Sequence, residues 1–327
     1  MNRRNEILRA VSEAVHVLAE SPLGNRTSFD VVGAVTKRNI PLLFRPLKTL
    51  LGAFVATEET TRGIIVTTRR ELSVQRFTLA HELGHLLLGH QSSLDETVGF
   101  VGRHTSKSRA TEEVAADAFA SELLASRQLM IKSAARHGWK KPELHQPQNI
   151  YQLSLRLGIS YQAACWGLVT ANVLTRTEAE QLEAKPVKDL KRALAPEELI
   201  TSSWADVWTL TSADTGMFLE AGPDDLFAVH LEDQVSAGYL WRLADAGTHA
   251  EIVGEHSTDL VPAYGRPSVR VVYVRFNKPG THRLAFQHAR PWSGATLDQI
   301  EINIDGHGKE AGGLPRRVRL DRLARAA

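Results

Sequence analysis

The segment RFTLAHELGH at residues 76–85 carries the strongest chemical pattern in the chain. It contains H-E-x-x-H, and residues four apart on an α-helix lie on the same face. His81 and His85 are therefore expected to point the same way and to bind one zinc ion. Glu82 follows the first ligand directly, where it can act as the general base without binding the metal.

The same pattern also occurs by chance on solvated helix faces. Here three polar residues interrupt an apolar run that continues through residues 86–88, which is unusual for a solvated face. Gly84 lies within the pattern although glycine lowers helix propensity. We therefore expect its missing side chain to matter, either for close packing or for room at the metal.

A catalytic zinc site needs a third protein ligand and an open position. A longer variant of the pattern would place a third histidine at position 91, which is occupied by Gln91. His90 is out of phase with the two predicted ligands on a continuous helix. The third ligand is therefore expected further along the chain.

The segment TEEVAADAFASELL at residues 111–124 supplies a candidate. It predicts a helix with Thr111 as its N-cap, and its alanines allow close approach to the first helix. Glu113 can then reach the metal, and Asp117, one turn later, can accept a hydrogen bond from a ligand histidine and orient it. The alternative is that the acidic first turn simply complements the helix dipole.

The two motifs, in this order and spacing, resemble the ImmA/IrrE family of metallopeptidases, and the resemblance covers about residues 1–180. In that family the second motif supplies a glutamate ligand, which corresponds to Glu113. The resemblance implies a zinc endopeptidase with His81, His85 and Glu113 as ligands and Glu82 as the catalytic residue. It also implies a narrow substrate, commonly a helix-turn-helix repressor, in a stress, mobile-element or phage-related response.

Length and composition set broader limits. A chain of 327 residues can form two domains with separate cores, and its net charge of +2 gives no overall signal for nucleic-acid binding. The single cysteine, Cys165, cannot form an intramolecular disulfide and is expected to be a buried thiol, which suits a cytoplasmic protein. We find neither a signal peptide nor an apolar run of about 20 residues that would predict a membrane span.

Hydrophobic periodicity predicts the elements around the motifs. Residues 3–20 read as an amphipathic helix whose apolar stripe is Leu8, Val11, Val15 and Leu18. The other expected elements are a helix over 29–38, strands over 40–44 and 64–68, and a mobile polar loop over 91–110. A helix, a short sheet and then the H-E-x-x-H helix is the order expected of a small zincin.

Residues 147–175 have the layout of a helix-turn-helix, with the turn at Leu157-Gly158-Ile159-Ser160. Reading DNA would require exposed polar or basic residues on the second helix, which contains no arginine or lysine. We therefore favour a structural helix pair over DNA contact.

The pattern changes after residue 183. Residues 183–212 are charged, carry two prolines and are predicted to be a linker. Short alternating runs at 227–231, 269–276, 284–286 and 300–304 predict strands of an all-β sandwich over residues 213–308. Residues 309–327 form a basic tail, interpreted as a solvated end that can also contact nucleic acid or an acidic partner.

Three short segments in the second half form a further pattern: Gly238-Tyr239-Leu240-Trp241, Gly265-Arg266-Pro267 and Arg290-Pro291-Trp292. They resemble the chagasin family of cysteine-peptidase inhibitors over about residues 215–306. That family has an immunoglobulin-like sandwich whose loops at one end fill the cleft of a papain-like enzyme. The resemblance implies partner-binding residues Tyr239, Trp241, Arg266, Arg290 and Trp292. The alternative is that the tryptophans are part of the sandwich core.

The sequence therefore predicts an α+β protein. A zincin-like helical metallopeptidase domain with a small sheet occupies residues 1–182, with helix-turn-helix-like helices at 147–175, and an immunoglobulin-like sandwich follows. The predicted function is a zinc endopeptidase with a module for partner or substrate binding. Two alternatives remain: a protein-binding or cysteine-peptidase-inhibitor-like protein, and a DNA-binding regulator, each with a structural zinc.

Overall fold

The structure is a computed structural model. It describes residues 2–56, 62–90, 93–95, 110–233, 238–245, 247, 249–258, 268–290, 292 and 296–326. Most of the loop predicted at 91–110 therefore lies outside the described residues, as does Arg266.

Helices dominate the first two thirds of the described chain. They are α1 (Arg3–Glu20), α2 (Val31–Lys37), α3 (Leu72–Leu88), α4 (Thr111–Ala125), α5 (Arg127–Arg136), α6 (Pro147–Leu157), α7 (Tyr161–Thr170), α8 (Arg176–Glu183) and α9 (Val187–Leu194), with α10 (Arg316–Ala326) near the end. Within the described ranges, none of these helices combines the length and apolar composition that crossing a membrane requires.

A small sheet accompanies the first helices. Its strands are β1 (Leu42–Arg45), β2 (Gly52–Ala56), β3 (Arg62–Thr67) and β4 (Ser93–Asp95). Their order is β1-β3-β2-β4, with β1 parallel to β3 and the other pairs antiparallel. Helix α3 packs against β2 and β3, so the helix that bears the H-E-x-x-H pattern lies directly on this sheet.

The buried face of α1 differs from the predicted stripe. The predicted stripe is wrong at Leu8 and Val15, whose side chains are 58% and 50% exposed, whereas Val11 and Leu18 are partly buried against the core. The buried residues of α1 are Glu6, Ala10, Ala14 and Val17. Small side chains let α1 pack closely on α4, and this packing outweighs the burial of larger apolar groups on the other face.

Helices α6 and α7 form the predicted helix pair, joined at Gly158 in the left-handed conformation. Seven residues of α7 are buried: Tyr161, Ala163, Ala164, Cys165, Trp166, Gly167 and Leu168. A helix covered in this way cannot enter a DNA groove without unfolding the domain. The burial therefore supports a structural role for the pair.

The second half contains two sheets packed face to face. Their strands are β5 (Val207–Leu210), β6 (Phe218–Glu220), β7 (Leu226–Asp233), β8 (Leu240–Asp245), β9 (Ala250–Thr258), β10 (Ser268–Phe276), β11 (Thr281–Ala289) and β12 (Thr296–Asp305). Among the described strands, the orders are β5-β7-β10-β9 and β6-β12-β11-β8. Trp208, Phe227, Phe286 and Ile302 belong to the core between the sheets. The predicted α+β organisation with a C-terminal sandwich is confirmed.

The residues predicted as a linker form ordered structure. Helix α9 lies between 187 and 194, and β5 pairs in parallel with β7 inside the sandwich. Ala195, Leu199 and Ile200 pack against Val271 and Tyr273 on the outer face of that sheet. The apolar residues scattered among the charges therefore cover a sheet face that would otherwise be exposed to water.

Helix α6 also covers the free edge of β5. The Gln152 side-chain amide donates to the carbonyl oxygen of Val207 at 2.7 Å, and its oxygen accepts from the amide of Thr209 at 2.8 Å. The Tyr151 hydroxyl accepts from the amide of Val207 at 3.0 Å and donates to Asp206 at 2.8 Å. These side chains satisfy the backbone groups of an edge strand as a neighbouring strand would.

The predicted basic tail returns to the first domain. Phe44 on β1 and Gly313 exchange two backbone hydrogen bonds of 2.8 Å. The Gln75 side chain on α3 accepts from the backbone amide of Glu310 at 2.9 Å and donates to the carbonyl oxygen of the same residue at 3.3 Å. The segment before α10 therefore covers the edge of the small sheet and contacts the H-E-x-x-H helix.

Charged groups join the two domains at β6. The Glu220 carboxylate accepts from Arg26 at 3.0 Å and from the Ser28 hydroxyl at 2.7 Å, and it pairs with Arg76 of α3. Burial by itself raises the pKa of Glu220, but the charges of Arg76 and Arg26 and the Ser28 hydrogen bond outweigh it. The pKa is therefore held below its ordinary value.

A second ionic group joins the domains at Asp214. Arg156 of α6 donates to this carboxylate at 2.9 and 3.0 Å, and His137 lies 3.0 Å from it. Asp214 and Arg156 are both almost completely buried. Burial opposes the charge of Asp214, but Arg156 and His137 hold its pKa well below the usual range. Each buried charge therefore depends on a partner in the other domain.

The Glu220 contacts lead to the first prediction. Glu220→Gln leaves Arg26 and Arg76 without a counter-charge and should lower the free energy of unfolding by about 3 kcal/mol at pH 7. This value is at the low end of the range for a broken buried pair, because the Glu220 side chain is 21% exposed. Urea denaturation measures the change.

The matched control is Glu301→Gln, which removes the carboxylate of an exposed pair with Arg283 and should leave stability unchanged. A lowered folded-state pKa stabilises the protein above the ordinary value of 4.5, and this stabilisation is lost as the pH falls through the folded value. The difference between wild type and Glu220→Gln should therefore shrink below pH 4.5. Equal stability of the two proteins at pH 7 would contradict the role of Glu220.

Candidate metal centre

Helix α3 presents two histidines on one buried face. His81 is fully buried and His85 is 1% exposed, and their Nε2 atoms lie 3.0 Å apart. The helix ends at Leu88, and Gly89 follows in the left-handed conformation with φ of 70°. The four-residue spacing predicted from the sequence thus brings two imidazole nitrogens together in the domain interior.

Helix α4 adds a carboxylate to the same point. Glu113 Oε2 lies 3.6 Å from His81 Nε2, and Glu113 Oε1 lies 3.4 Å from His85 Nε2. The three side chains offer ligand atoms that all lie within 4.8 Å of one another. Tetrahedral zinc with bonds near 2.0–2.2 Å places ligand atoms about 3.3–3.6 Å apart, so the two distances to Glu113 match the ion and the two histidine nitrogens, at 3.0 Å, need to separate by a few tenths of an ångström.

Asp117 holds one of the two histidines from behind. Its Oδ1 lies 2.9 Å from His81 Nδ1, and its side chain is 4% exposed. A carboxylate at that nitrogen keeps the proton on Nδ1 and leaves the lone pair of Nε2 facing His85 and Glu113. Glu113 and Asp117 lie one helical turn apart, so both face the cluster. Glu113 lies near the two Nε2 atoms, and Asp117 contacts Nδ1 of His81.

Close packing of α3 on α4 depends on Gly84. A Cβ atom at Gly84 would lie 3.0 Å from Cδ1 and 3.2 Å from Cβ of Phe119. Of the two reasons considered for this glycine, helix packing is the one that the contacts support. The N-terminal end of α4 differs slightly from expectation, because Ala110 is the N-cap and Thr111 is the first helical residue.

Glu82 lies on the sheet side of α3. It is fully buried, and a Cβ atom at Gly52 of β2 would lie 2.9 Å from its Oε1 and 2.5 Å from Thr78 Cγ2. Gly52 therefore leaves the space that the Glu82 carboxylate occupies. Sequence reasoning missed Gly52, because a glycine at the start of a short strand carries no local signal of a buried carboxylate on the helix that packs against the strand.

Two further residues near the cluster were also not predicted. His90 Nδ1 lies 2.9 Å from His85 Nδ1, and Glu6 Oε1 of α1 lies 3.4 Å from His90 Nε2. The sequence did contain a signal for Glu6. It lies four residues before Ala10 and eight before Ala14, so all three share the face of α1 that is buried. A charge in a stripe of small residues indicates a buried partner.

The sandwich brings together two of the three segments in the chagasin-like pattern. Ala289 pairs with Leu240, so residues 238–241 lie beside Arg290 and Trp292. The Arg290 guanidinium lies 4.5 Å from the ring centre of Tyr239, and Trp292 is 74% exposed. The third segment, with Arg266, lies outside the described residues.

Trp241 has a different environment from the other residues of that pattern. It is 6% exposed, stacks on His288 with ring centroids 4.8 Å apart, and donates from Nε1 to the carbonyl oxygen of Glu232 at 3.1 Å. It belongs to the sandwich core, as the alternative interpretation of the tryptophans states. Among the described residues of the pattern, Tyr239, Arg290 and Trp292 remain near the surface.

Cys165 is buried, as expected, and is not one of the three residues of the metal cluster. Burial raises the pKa of its thiol to about 12. A thiol with this pKa stays protonated near neutral pH and is a poor nucleophile or metal ligand.

Comparison with known families identifies both halves of the chain. Residues 35–168 match the IrrE N-terminal-like domain, Peptidase_M78, and residues 220–304 match the Chagasin family peptidase inhibitor I42. The chain thus carries an IrrE N-terminal-like peptidase domain with the His81, His85 and Glu113 cluster, followed by a chagasin-family domain. Both resemblances inferred from the motifs are confirmed.

Three similar solved structures each match about a third of this chain. The cysteine protease inhibitor EhICP2 from Entamoeba histolytica is 21% identical, with 32% of this chain and 97% of that chain covered and a TM-score of 0.28. Amebosin is 12% identical, with coverages of 31% and 98% and a TM-score of 0.25. PbICP-C, solved in complex with falcipain-2, is 17% identical, with coverages of 32% and 91% and a TM-score of 0.22. The comparison with curated proteins finds no match.

The contact of Gly84 with Phe119 leads to the second prediction. Gly84→Ala should raise helix propensity by about 1 kcal/mol, but overpacking against Phe119 costs about 1–3 kcal/mol. We expect a net loss of stability and weaker zinc binding, because α4 must move and carries Glu113 with it. Competition with a chelator gives the zinc dissociation constant. Adding Phe119→Leu should restore it, and an unchanged constant in Gly84→Ala alone would refute the argument.

Proposed function

We propose that this protein is a zinc-dependent endopeptidase. The observation that carries the proposal is the convergence of His81 Nε2, His85 Nε2 and Glu113 on one point, and Glu82 directly follows His81 in the sequence. Three protein ligands rather than four are typical of a catalytic zinc, because the fourth position is left for water or substrate. The Glu113 side chain is 22% exposed while both histidines are buried, so the cluster is open to solvent on the glutamate side.

Each of these residues has a different role in the proposed peptide hydrolysis. His81, His85 and Glu113 would hold zinc, which supplies Lewis acidity toward the scissile carbonyl and toward water. Asp117 accepts a hydrogen bond from Nδ1 of His81 and keeps that ring oriented. Glu82 Oε takes the proton of the attacking water and passes it to the leaving amine nitrogen. Burial of Glu82 shields that proton from exchange with bulk water.

For the substrate we propose a helix-turn-helix transcriptional repressor, cleaved in a stress, mobile-element or phage-related response. This part of the proposal rests on the family resemblance rather than on the geometry of the cluster. If a repressor gene lies next to the gene for this chain, its product is the first substrate to test.

The third prediction separates metal binding from catalysis. Glu82→Gln keeps the size of the side chain but removes the base, so it should retain zinc and lose cleavage of the repressor by about 10²–10⁴-fold. Glu113→Ala, which removes a ligand, should lose both zinc and cleavage. Metal analysis and cleavage assays on the same preparations compare the three proteins.

The result also tests the alternatives in which zinc is structural. Equal cleavage by wild type and Glu82→Gln would exclude the proposed mechanism. Undiminished zinc in Glu113→Ala would remove Glu113 from the site. A folded, zinc-containing wild type that cleaves no repressor would favour a binding or regulatory protein.

We further propose that the end of the sandwich formed by Tyr239, Arg290 and Trp292 binds a protein partner, first of all the peptidase substrate. Exposed Trp, Tyr and Arg side chains dominate binding energies at protein interfaces. The Arg290 guanidinium already lies over the Tyr239 ring, so the pair is partly ordered before binding. Chagasin-like inhibition of a papain-like peptidase is the second candidate, and the chagasin-family match favours it.

The fourth prediction tests this surface in the full chain. Trp292→Ala should raise the KM for repressor cleavage about tenfold, a loss of about 1.4 kcal/mol of binding, and leave kcat unchanged. Trp204→Ala is the matched control, since Trp204 is 73% exposed but lies before β5. Weaker inhibition of papain in place of a KM change would assign the surface to a papain-like partner. If neither quantity changes, this end is not a binding surface.

A further inference from the structure

A second chain of buried polar groups leads away from the metal centre on the side of His85. Gly89 turns the backbone after α3, and the amide of His90 donates to the carbonyl oxygen of His85 at 3.0 Å. This turn brings the His90 ring to the His85 ring, with Nδ1 atoms 2.9 Å apart. A continuous helix would have kept the two histidines out of phase, so the contact depends on the left-handed Gly89.

The positions of the ring nitrogens determine which atoms donate. His85 Nε2 faces the Nε2 of His81 and the Glu113 carboxylate, so its lone pair belongs to the metal position. The proton of His85 is then on Nδ1 and donates to Nδ1 of His90. His90 carries its own proton on Nε2, which lies 3.4 Å from Glu6 Oε1.

The chain of contacts ends on α1. Glu6 Oε1 also accepts from Arg9 at 3.1 Å, and the same guanidinium donates to the carbonyl oxygen of Leu88 at 2.9 Å. The Glu6 and His90 side chains are 6% and 5% exposed. Burying a carboxylate on the small-residue face of α1 is costly unless polar partners receive it. The partners here lead directly to a predicted zinc ligand.

We propose that His90 is a positioning residue for His85, and that Glu6 acts through His90 to strengthen His85 as a zinc ligand. This inference rests on the proposed zinc site. The two histidine ligands are then supported differently: His81 donates directly to a carboxylate, Asp117, whereas His85 donates to the His90 ring, which contacts the Glu6 carboxylate in turn. Helix α1 precedes the matched peptidase family region, which begins at residue 35, so it extends the metal centre beyond that region.

The test measures zinc affinity in the full chain by competition with a chelator. His90→Phe keeps a ring but removes the acceptor for His85 Nδ1, and the zinc dissociation constant should rise about 10–100-fold. His90→Asn places an amide oxygen near the former Nδ1 position and should recover most of that loss. Glu6→Gln keeps the shape of the carboxylate without its charge, and its constant should lie between those of wild type and His90→Phe.

The matched control is His288→Phe in the sandwich. His288 is 3% exposed, and its Nε2 has no hydrogen-bond partner among the described residues, so the same replacement should leave zinc affinity unchanged. Nitrogen NMR of the zinc-bound wild type should show the His85 proton on Nδ1, in a hydrogen bond to His90. Loss of packing alone would not produce that tautomer or the recovery in His90→Asn.

Each outcome decides between the proposals. A wild type that binds no zinc overturns both the proposed function and this inference. A wild type that binds zinc, with unchanged affinity in His90→Phe and Glu6→Gln, overturns the inference alone. If His90→Phe does not fold, the Glu6→Gln and His90→Asn proteins decide. A higher zinc dissociation constant in Glu6→Gln supports the proposed action of Glu6 through His90. Wild-type zinc dissociation constants in both proteins refute it. Equal losses in His90→Phe and His90→Asn reduce His90 to a packing residue.

Discussion

The metal centre depends on how closely α3 and α4 approach each other. His81 and His85 belong to one helix and Glu113 to the other, so the three donors meet only if the helix surfaces touch at this level. Gly84 makes that contact possible, because any side chain there would press on Phe119. A displacement of about one ångström between the helices would separate the carboxylate from the imidazoles, since metal–ligand distances tolerate only a few tenths of an ångström.

Each side of the H-E-x-x-H helix is held by a different part of the chain. The small sheet contacts Glu82 through the space at Gly52, and α4 supplies Asp117 behind His81. Helix α1 supplies Glu6 behind His90. The two candidate histidine ligands are therefore oriented by buried polar contacts from α4 and α1, two helices far apart in sequence, and such contacts limit the rotation of ligands in protein metal sites.

The sandwich also contacts this helix. Glu220 of β6 pairs with Arg76, and the segment after β12 binds Gln75 through the backbone of Glu310. The sandwich has its own apolar core, against which Leu155 of α6 packs, and the contacts between domains include hydrogen bonds and buried ion pairs. Removing the sandwich would take the carboxylate partners away from Arg76 and Arg156. We therefore expect the peptidase domain to be less stable without the sandwich.

Local sequence was sufficient for several features of the structure. The spacing of His81 and His85 predicts a shared helix face, and alternation with turn residues predicts the strands of the sandwich. It was insufficient where the outcome depends on which surfaces pack. The exposed Leu8 and Val15 show this for α1, and the helix and strand within residues 187–210 show it for the charged segment between the domains. Trp241 likewise belongs to the core although its motif suggests a binding loop.

The sequence by itself determined the donor types, their helical spacing and the two family resemblances, because these are encoded within a few neighbouring residues. Only the tertiary structure decided that Gly84 admits Phe119, that Gly52 leaves room for Glu82, and that Gly89 turns His90 back onto His85. It also decided that Glu6 and Glu220 are buried against partners 84 and 144 residues away. These contacts depend on shape and charge at surfaces that meet only in the folded chain, and no periodicity within one segment reports them.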